Sequence, residues 1–207
     1  MNQLASKPVI GFIGLGIMGA SMAARIAAAG YPLHVYNRTR AKAEPLIEAG
    51  AHWQPTPKAL AEASDVVLTI VGTPADVRAL YLGEEGLIMH ARRDAVLVDM
   101  TTSSPLLAEE LAAHAALRGV HVLDAPVSGG DVGAREGRLS IMVGGASDVL
   151  AGVEPVLRCL GTNIVLQGGP GAGQHTKLCN QIVIASTLLG VCEGLAYARS
   201  AGLDAHT

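Results

Sequence analysis

Three glycines spaced as G-x-G-x-x-G, Gly14, Gly16 and Gly19, constrain the fold of this chain more than any other feature. They follow the apolar run of residues 9–13 and open a helical pattern that ends at Gly30. Glycines at this spacing let the backbone approach a pyrophosphate while the amino terminus of the helix faces its charge. A plain tight turn is the alternative, since the chain has 25 glycines. The strand–turn–helix context favours a dinucleotide-binding turn.

Short apolar runs then alternate with helical patterns up to about residue 166. Residues 33–37, 65–71, 95–99 and 120–124 are predicted strands, separated by segments long enough for helices. Fully apolar strands joined in this way indicate a parallel sheet covered on both faces. The predicted fold class is therefore α/β, and residues 1–170 are assigned to a doubly wound Rossmann domain that binds NADP.

A different pattern begins after a glycine cluster at residues 168–173. From Gly173 to about Ala201 there is no proline, and apolar residues follow helical spacing. The centre of this helix is apolar nearly all round, so we expect it to be buried on several sides. Residues 171–207 are thus predicted to form a long helix outside the Rossmann domain. The helix predicts a covering partner, either a missing domain or another subunit of a homo-oligomer.

Composition excludes several classes of function. A net charge of −3 and a pI near 6.1 leave no basic stripe for nucleic acid or an anionic membrane. The three cysteines lack metal-ligand spacing and are expected to be reduced, mostly buried thiols, so no metal is predicted. The longest nearly apolar run, residues 182–192, falls short of the roughly 20 residues of a membrane span. We therefore expect a soluble, cytoplasmic protein.

The predicted second strand ends in Asn37, Arg38 and Thr39, where an NAD-specific site usually carries an acidic residue. Asparagine removes that negative charge, and Arg38 with Thr39 could bind a 2′-phosphate. NADP is therefore favoured over NAD, unless Arg38 is merely a solvated charge that opens the next helix.

The loops after the strands that end at Val71 and Asp99 should face the nicotinamide ribose. Thr101 and its neighbours could equally be helix caps, except Thr102. The predicted cofactor-binding residues are Gly14, Leu15, Gly16, Ile17, Met18, Asn37, Arg38, Thr39, Val71, Gly72 and Thr102.

Two further segments carry candidate substrate chemistry. The serine–glycine turn, Ser128, Gly129 and Gly130, can expose consecutive N–H groups and a hydroxyl to a carboxylate, although an ordinary loop uses the same residues. Lys177 lies in the first turns of the long helix and shares a face with Asn180. The helix dipole and burial in a cleft would lower the pKa of this lysine toward a value useful for proton transfer, whereas most helical lysines are simply solvated.

Residues 11–19, 124–130 and 171–181 together resemble, in order and spacing, the β-hydroxyacid dehydrogenase family. The resemblance covers essentially the whole chain. It implies hydride transfer between a nicotinamide cofactor and a small carboxylate substrate, with Lys177 as the catalytic proton donor. By the same resemblance, Ser128, Gly129 and Gly130 bind the substrate carboxylate, Asn180 holds the substrate beside the lysine, and Thr102 contacts the cofactor.

Within this family, residues 137–145 and the pair Asn180 and Gln181 look most like tartronate semialdehyde reductases. Activity on 3-hydroxyisobutyrate, or on glyoxylate or succinic semialdehyde, is the alternative. The resemblance implies that residues 171–207 are the first helix of a helical second domain that is largely absent. The chain departs from the family at Gly72, where a larger residue is common, and in lacking this domain, which closes the cleft. A non-catalytic nucleotide-binding fragment is therefore a second interpretation.

Overall fold

The computed structural model of the chain describes residues 7–207. A sheet of nine strands carries helices on both faces. The strands are β1 (Ile10–Ile13), β2 (Leu33–Tyr36), β3 (His52–Trp53), β4 (Val66–Thr69), β5 (Val96–Asp99), β6 (His121–Asp124), β7 (Val127–Ser128), β8 (Leu139–Gly144) and β9 (Gly161–Gly168). The helices are α1 (Ile17–Ala28), α2 (Glu44–Glu48), α3 (Pro57–Ala63), α4 (Pro74–Leu82), α5 (Leu87–His90), α6 (Pro105–Ala116), α7 (Gly130–Glu136), α8 (Ser147–Leu157) and α9 (Ala172–Ser200), with a 3₁₀ helix at Arg40–Ala43.

The strand order reverses at β1, which confirms the doubly wound α/β fold. The order is β3-β2-β1-β4-β5-β6-β8-β7, with β9 paired to β8. Strand β1 runs parallel to β2 on one side and to β4 on the other. Because β2 and β4 lie on opposite sides of β1, the loops that follow β1 and β4 lead to opposite sides. A crevice therefore opens beyond the carboxyl ends of these two strands. Ligands of doubly wound sheets bind at this position.

One edge of the sheet departs from the expected parallel arrangement. Strand β8 runs antiparallel to both β6 and β7. Strands β6 and β7 are separated only by Ala125 and Pro126 and run in the same direction, and the chain then returns through α7 as β8, which lies between them. The prediction of a wholly parallel sheet is therefore wrong here. The short strand β7 pairs Ser128 with Ser140 and so fixes the serine–glycine turn at the sheet edge.

Side chains of the central strands alternate between two buried clusters, one on each face of the sheet. Phe12 and Leu68 belong to one cluster, whereas Val67 and Leu97 belong to the other. Because successive residues of a strand point to opposite faces, a strand covered on both faces must be apolar throughout. This explains the uninterrupted apolar runs of the sequence.

The long helix α9 leaves most of its apolar surface uncovered by the described residues. Its buried residues are Gly173, Gln174 and Lys177, all near its start. The expected burial of its centre is not met within this chain, and Cys179 and Cys192 are exposed rather than buried for the same reason. By length and composition alone α9 could cross a membrane, a criterion that the core helix of a soluble protein also meets. Exposed apolar patches of this extent are typical of interaction surfaces.

Candidate active site

A cavity of about 1030 Å³ occupies the crevice beyond the carboxyl ends of β1 and β4. Its walls come from the glycine turn (residues 14–19), the end of β2, the loops after β4 and β5, the serine–glycine turn and α9. The predicted site residues that line it are Gly14, Gly16, Ile17, Met18, Asn37, Arg38, Val71, Gly72, Thr102, Ser128, Gly129, Gly130 and Lys177. The predicted cofactor and substrate groups thus share one cavity.

The glycine turn meets the steric requirements of a dinucleotide. Gly14 has φ +98°, and a Cβ there would lie 2.0 Å from the carbonyl oxygen of Ile70. A Cβ on Gly19 would lie 1.8 Å from the carbonyl oxygen of Gly14, so both positions require glycine. A Cβ on Gly16 would instead meet no atom of the described residues within 4 Å. The open space over Gly16, at the start of α1, fits a pyrophosphate at a helix amino terminus.

The end of β2 is tied to this turn by Asn37. The side-chain oxygen of Asn37 accepts a hydrogen bond from the Leu15 amide at 2.9 Å, and its side-chain nitrogen donates to the Thr39 carbonyl at 2.9 Å. Two predicted cofactor residues, Leu15 and Thr39, do not line the cavity. The side chain of Leu15 packs into the core, and its amide is already bonded to Asn37.

Arg38 lines the cavity with a side chain that is 84% exposed. Its guanidinium lies 3.3 Å from one carboxylate oxygen of Asp76. The other carboxylate oxygen of Asp76 accepts a hydrogen bond from the Thr73 hydroxyl at 2.8 Å. An exposed ion pair of this kind contributes only about 0–1 kcal/mol, so Arg38 can exchange this partner for a phosphate. The sequence analysis missed Asp76 and Lys42, which also line the cavity. Lys42 could have been considered as a second cation in the segment that follows Arg38.

A buried hydrogen-bond network holds together the loops after β4 and β5. The Val71 amide donates to the Thr101 hydroxyl at 3.0 Å. The Thr101 amide and the Thr69 hydroxyl both donate to Asp99, each at 3.1 Å. Burial raises the pKa of the Asp99 carboxyl to about 6, opposed in part by hydrogen bonds from Thr101 and Thr69. Thr101 therefore fastens the two loops, while the exposed Thr102 faces the cavity.

The serine–glycine turn lies at the other end of the cavity. Gly129 and Gly130 have φ of +132° and +63°, which favour glycine at both positions. A Cβ on Gly130 would meet nothing within 4 Å among the described residues. The half-buried Ser128 precedes them on β7. A hydroxyl and consecutive N–H groups beside open space form an arrangement that can bind a carboxylate.

Lys177 projects into the same cavity from the second turn of α9, with 7% of its surface exposed. Burial lowers the pKa of its ammonium group, as expected for a lysine in a cleft. Asn180 does not line the cavity, whereas Gln181 does. The displacement follows from the helical repeat, because a one-residue step turns a side chain by about 100°. The side-chain oxygen of Asn180 is nevertheless buried without a hydrogen-bond partner in the described part of the chain.

The start of α9 is fixed to the sheet by close packing and by two side chains. A Cβ on Gly173 would lie 2.3 Å from the Met142 carbonyl oxygen, which explains the second glycine of the Gly-Ala-Gly run. Asp124 accepts hydrogen bonds from the Gly171 and Gln174 amides, both at 2.8 Å. The sequence analysis missed Asp124 and Gln174 as site-forming residues. No local sequence signal marks these two roles, because the hydrogen-bond partners lie in distant parts of the chain.

The cavity brings together groups that could bind a nucleotide and an anion and could exchange a proton. No group of three or more His, Cys, Asp or Glu side chains within residues 7–207 could hold a metal ion. The buried carboxylate of Asp124 already accepts hydrogen bonds from two amides at the start of α9. The arrangement combines a dinucleotide-binding turn, an anion-binding turn and a buried lysine whose ammonium is easier to deprotonate than usual.

Comparison with known proteins follows the same division of the chain. The family model described as the NAD binding domain of 6-phosphogluconate dehydrogenase matches residues 9–169. The model described as NAD-binding of NADP-dependent 3-hydroxyisobutyrate dehydrogenase matches residues 171–207.

Two curated relatives illustrate the similarity. An uncharacterised oxidoreductase of Bacillus subtilis is 50% identical over 198 residues, covering 96% of this chain and 69% of the relative. The 2-hydroxy-3-oxopropionate reductase of Escherichia coli is 43% identical over 195 residues, covering 94% of this chain and 66% of the relative. The chain spans 60 to 69% of the length of the curated relatives most similar to it.

Solved structures agree with the fold described above. The 3-hydroxyisobutyrate dehydrogenase of Mycobacterium tuberculosis with L-serine has a TM-score of 0.89 and 34% identity, covering 96% of this chain and 67% of that one. The protein Psf3 in complex with NADP⁺ and 2-OPP has a TM-score of 0.88 and 35% identity, covering 95% of this chain and 69% of that one.

Proposed function

This chain belongs to the β-hydroxyacid dehydrogenase family and carries its NAD(P)-binding Rossmann domain, and from that premise we propose that the complete protein reduces a small aldehyde acid to the hydroxy acid. The observation that carries the proposal is the shared cavity. It brings Lys177 and the serine–glycine turn to the same space as the glycine turn. A carboxylate substrate and a nicotinamide cofactor can therefore meet there.

Each group of residues has a distinct part in the proposed reaction. Ser128, Gly129 and Gly130 bind the substrate carboxylate and so direct its aldehyde carbon toward the cofactor. The bound nicotinamide cofactor supplies a hydride to that carbon. Lys177 gives a proton from its ammonium to the aldehyde oxygen, which completes the alcohol, and in the oxidative direction takes the hydroxyl proton. Its lowered pKa brings the neutral and charged forms closer in energy near neutral pH, which favours transfer in both directions.

NADP is the proposed cofactor, with NAD as the alternative. Arg38 and Lys42 place two cations at the end of β2, where a 2′-phosphate lies, and Asn37 adds no negative charge. Psf3, a solved structural relative, is in complex with NADP⁺. The Rossmann domain thus has the charges that phosphate binding requires.

The proposed substrate is tartronate semialdehyde (2-hydroxy-3-oxopropionate), reduced to glycerate. Residues 137–145 and the similarity to the Escherichia coli reductase support this choice. The alternatives are 3-hydroxyisobutyrate, supported by the Mycobacterium tuberculosis structure, and glyoxylate or succinic semialdehyde. We further propose that the protein is cytoplasmic and forms a homo-oligomer through α9, whose apolar surface the described residues leave exposed.

A second candidate function is supported by that same exposed helix. A chain without a cover over α9 could bind the nucleotide but fail to close the cleft, and so act as a non-catalytic fragment. Steady-state NADPH oxidation with each candidate substrate, measured on this chain and on the full-length protein, separates the two. Turnover by the full-length protein supports the reductase. NADPH binding by both proteins with turnover by neither would refute the reductase.

A further inference from the structure

We propose that Gln174 is a positioning residue that holds the start of α9, and with it Lys177, in register against the loop that follows β5. The inference rests on the proposed role of Lys177 as proton donor. Its starting point is an unusual contrast within one helix. The first turns of α9 contain its buried residues, whereas apolar side chains farther along, such as Leu188 and Leu195, are more than half exposed.

The amide of Gln174 is fully buried and uses both of its ends. Its side-chain oxygen accepts a hydrogen bond from the Ser103 amide at 2.8 Å. Its side-chain nitrogen donates to the Thr101 carbonyl at 2.7 Å. These partners flank Thr102, which lines the cavity. A neutral side chain that offers an acceptor and a donor together is therefore required here, and glutamine supplies both.

Asp124 holds the same turn from the neighbouring strand β6. Its carboxylate is 2% exposed and accepts hydrogen bonds from the Gly171 and Gln174 amides. The residue before α9, Gly171, provides no side-chain cap of its own, so Asp124 satisfies N–H groups that a helix start leaves without partners. Asp124 fixes the backbone of this turn, and the Gln174 side chain fixes its distance from the cavity-lining loop.

Lys177 follows Gln174 by three residues and so lies on the same face of α9. A movement of the helix start relative to the loop would move the ammonium by a similar distance. Displacing a catalytic group by about 1 Å can reduce a rate by about 100-fold. The two hydrogen bonds of Gln174 thus control where the proton is delivered, although the side chain itself does not line the cavity.

The first test is Gln174→Met in the full-length protein, which removes both hydrogen bonds but keeps the length of the side chain. We expect kcat to fall about 10- to 100-fold while the KM for NADPH stays within about twofold. A readout independent of turnover is the pH dependence of Lys177 modification by an amine reagent, followed by mass spectrometry of the peptide. In Gln174→Met, the pH at which Lys177 modification is half-maximal should be higher than in the wild type. The matched control is Gln167→Met, an exposed glutamine on β9 that bonds to Thr176 of the same helix.

The second test is Gln174→Glu, whose charge state can be set by pH. The ionised carboxylate presents only acceptors and opposes the Thr101 carbonyl, whereas the protonated acid restores a donor. Its kcat relative to the wild type should therefore rise as the pH falls from about 8 to about 6. Of the charged groups nearby, Asp124 binds the Gln174 amide, Asp99 binds the Thr101 amide, and Lys177 follows three residues later on α9. Because the pKa of Asp99 is about 6, the ratio is also measured with Asp99→Asn in both proteins, where a retained pH dependence comes from position 174.

Unchanged kcat and unchanged Lys177 reactivity in Gln174→Met would overturn the inference, and so would a Gln174→Glu ratio that does not vary with pH. If Gln174→Met does not fold, the Gln174→Glu ratio decides alone. Full turnover by Lys177→Met would instead refute the proposed role of Lys177 as proton donor, whereas absence of turnover by the wild type would refute the proposed function. The effect of Gln174 on the reactivity of Lys177 could still be measured in that case.

Discussion

Replacing Asp99 with asparagine tests the buried network that holds the cofactor-facing loops. The Asp99 carboxyl is 4% exposed, and burial raises its pKa from 3.8 to about 6. In the unfolded chain it ionises near its ordinary pKa, whereas the folded protein retains the proton up to about pH 6. The contribution to stability is therefore fully present below pH 3.8 and is lost as the pH rises through about 6. A shift of about 2 pKa units corresponds to about 3 kcal/mol.

Urea unfolding across this pH range measures the effect. Asparagine can still accept from Thr69 and Thr101 but cannot ionise, so Asp99→Asn should gain about 3 kcal/mol relative to the wild type between pH 3.8 and about 7. Asp94→Asn, an exposed change of the same charge, is the control. A difference between wild type and Asp99→Asn that is flat, or that falls as the pH rises, would refute the reasoning.

The remaining predictions concern ligands. Arg38→Ala should lower the preference for NADPH over NADH by about tenfold or more, measured as the ratio of the two kcat/KM values, and an unchanged ratio would contradict phosphate binding by Arg38. Gly16→Ala should leave Tm nearly unchanged, since its Cβ meets no atom, yet weaken NADPH binding by more than about tenfold; intact affinity would place the pyrophosphate elsewhere. Ser128→Ala should raise the KM for the carboxylate substrate about 5- to 10-fold with a small change in kcat, and an unaffected KM would remove the serine from substrate binding.

The fold could be predicted because its signals are local. The glycine turn follows an apolar strand and opens a helix, and each element satisfies its own steric and hydrophobic requirements. The antiparallel edge could not be predicted, because β7 contains only Val127 and Ser128 and is defined by pairing with β8 rather than by its own sequence. The apolar pattern of α9 predicted a buried helix, but a sequence pattern does not say what covers a helix, and the described residues leave most of α9 exposed.

The site was predictable where a motif fixes backbone geometry and less so where side chains cross between elements. Gly14 and Gly130 were found because their positive φ angles require glycine. Gln174 was missed because its partners lie more than 70 residues away and a buried amide has no local sequence signal. Leu15 was predicted from the glycine motif and Thr39 from a possible contact with a 2′-phosphate, and neither residue lines the cavity.

The most direct test of the account is the rate of NADPH oxidation by Lys177→Met in the full-length protein, measured together with NADPH affinity. Lys177 lines the substrate end of the cavity, so removing its ammonium should abolish proton delivery without disturbing the glycine turn. The account predicts that kcat falls about 100- to 10,000-fold while the Kd for NADPH remains within about twofold. A kcat close to that of the wild type, with the nucleotide still bound, would contradict it.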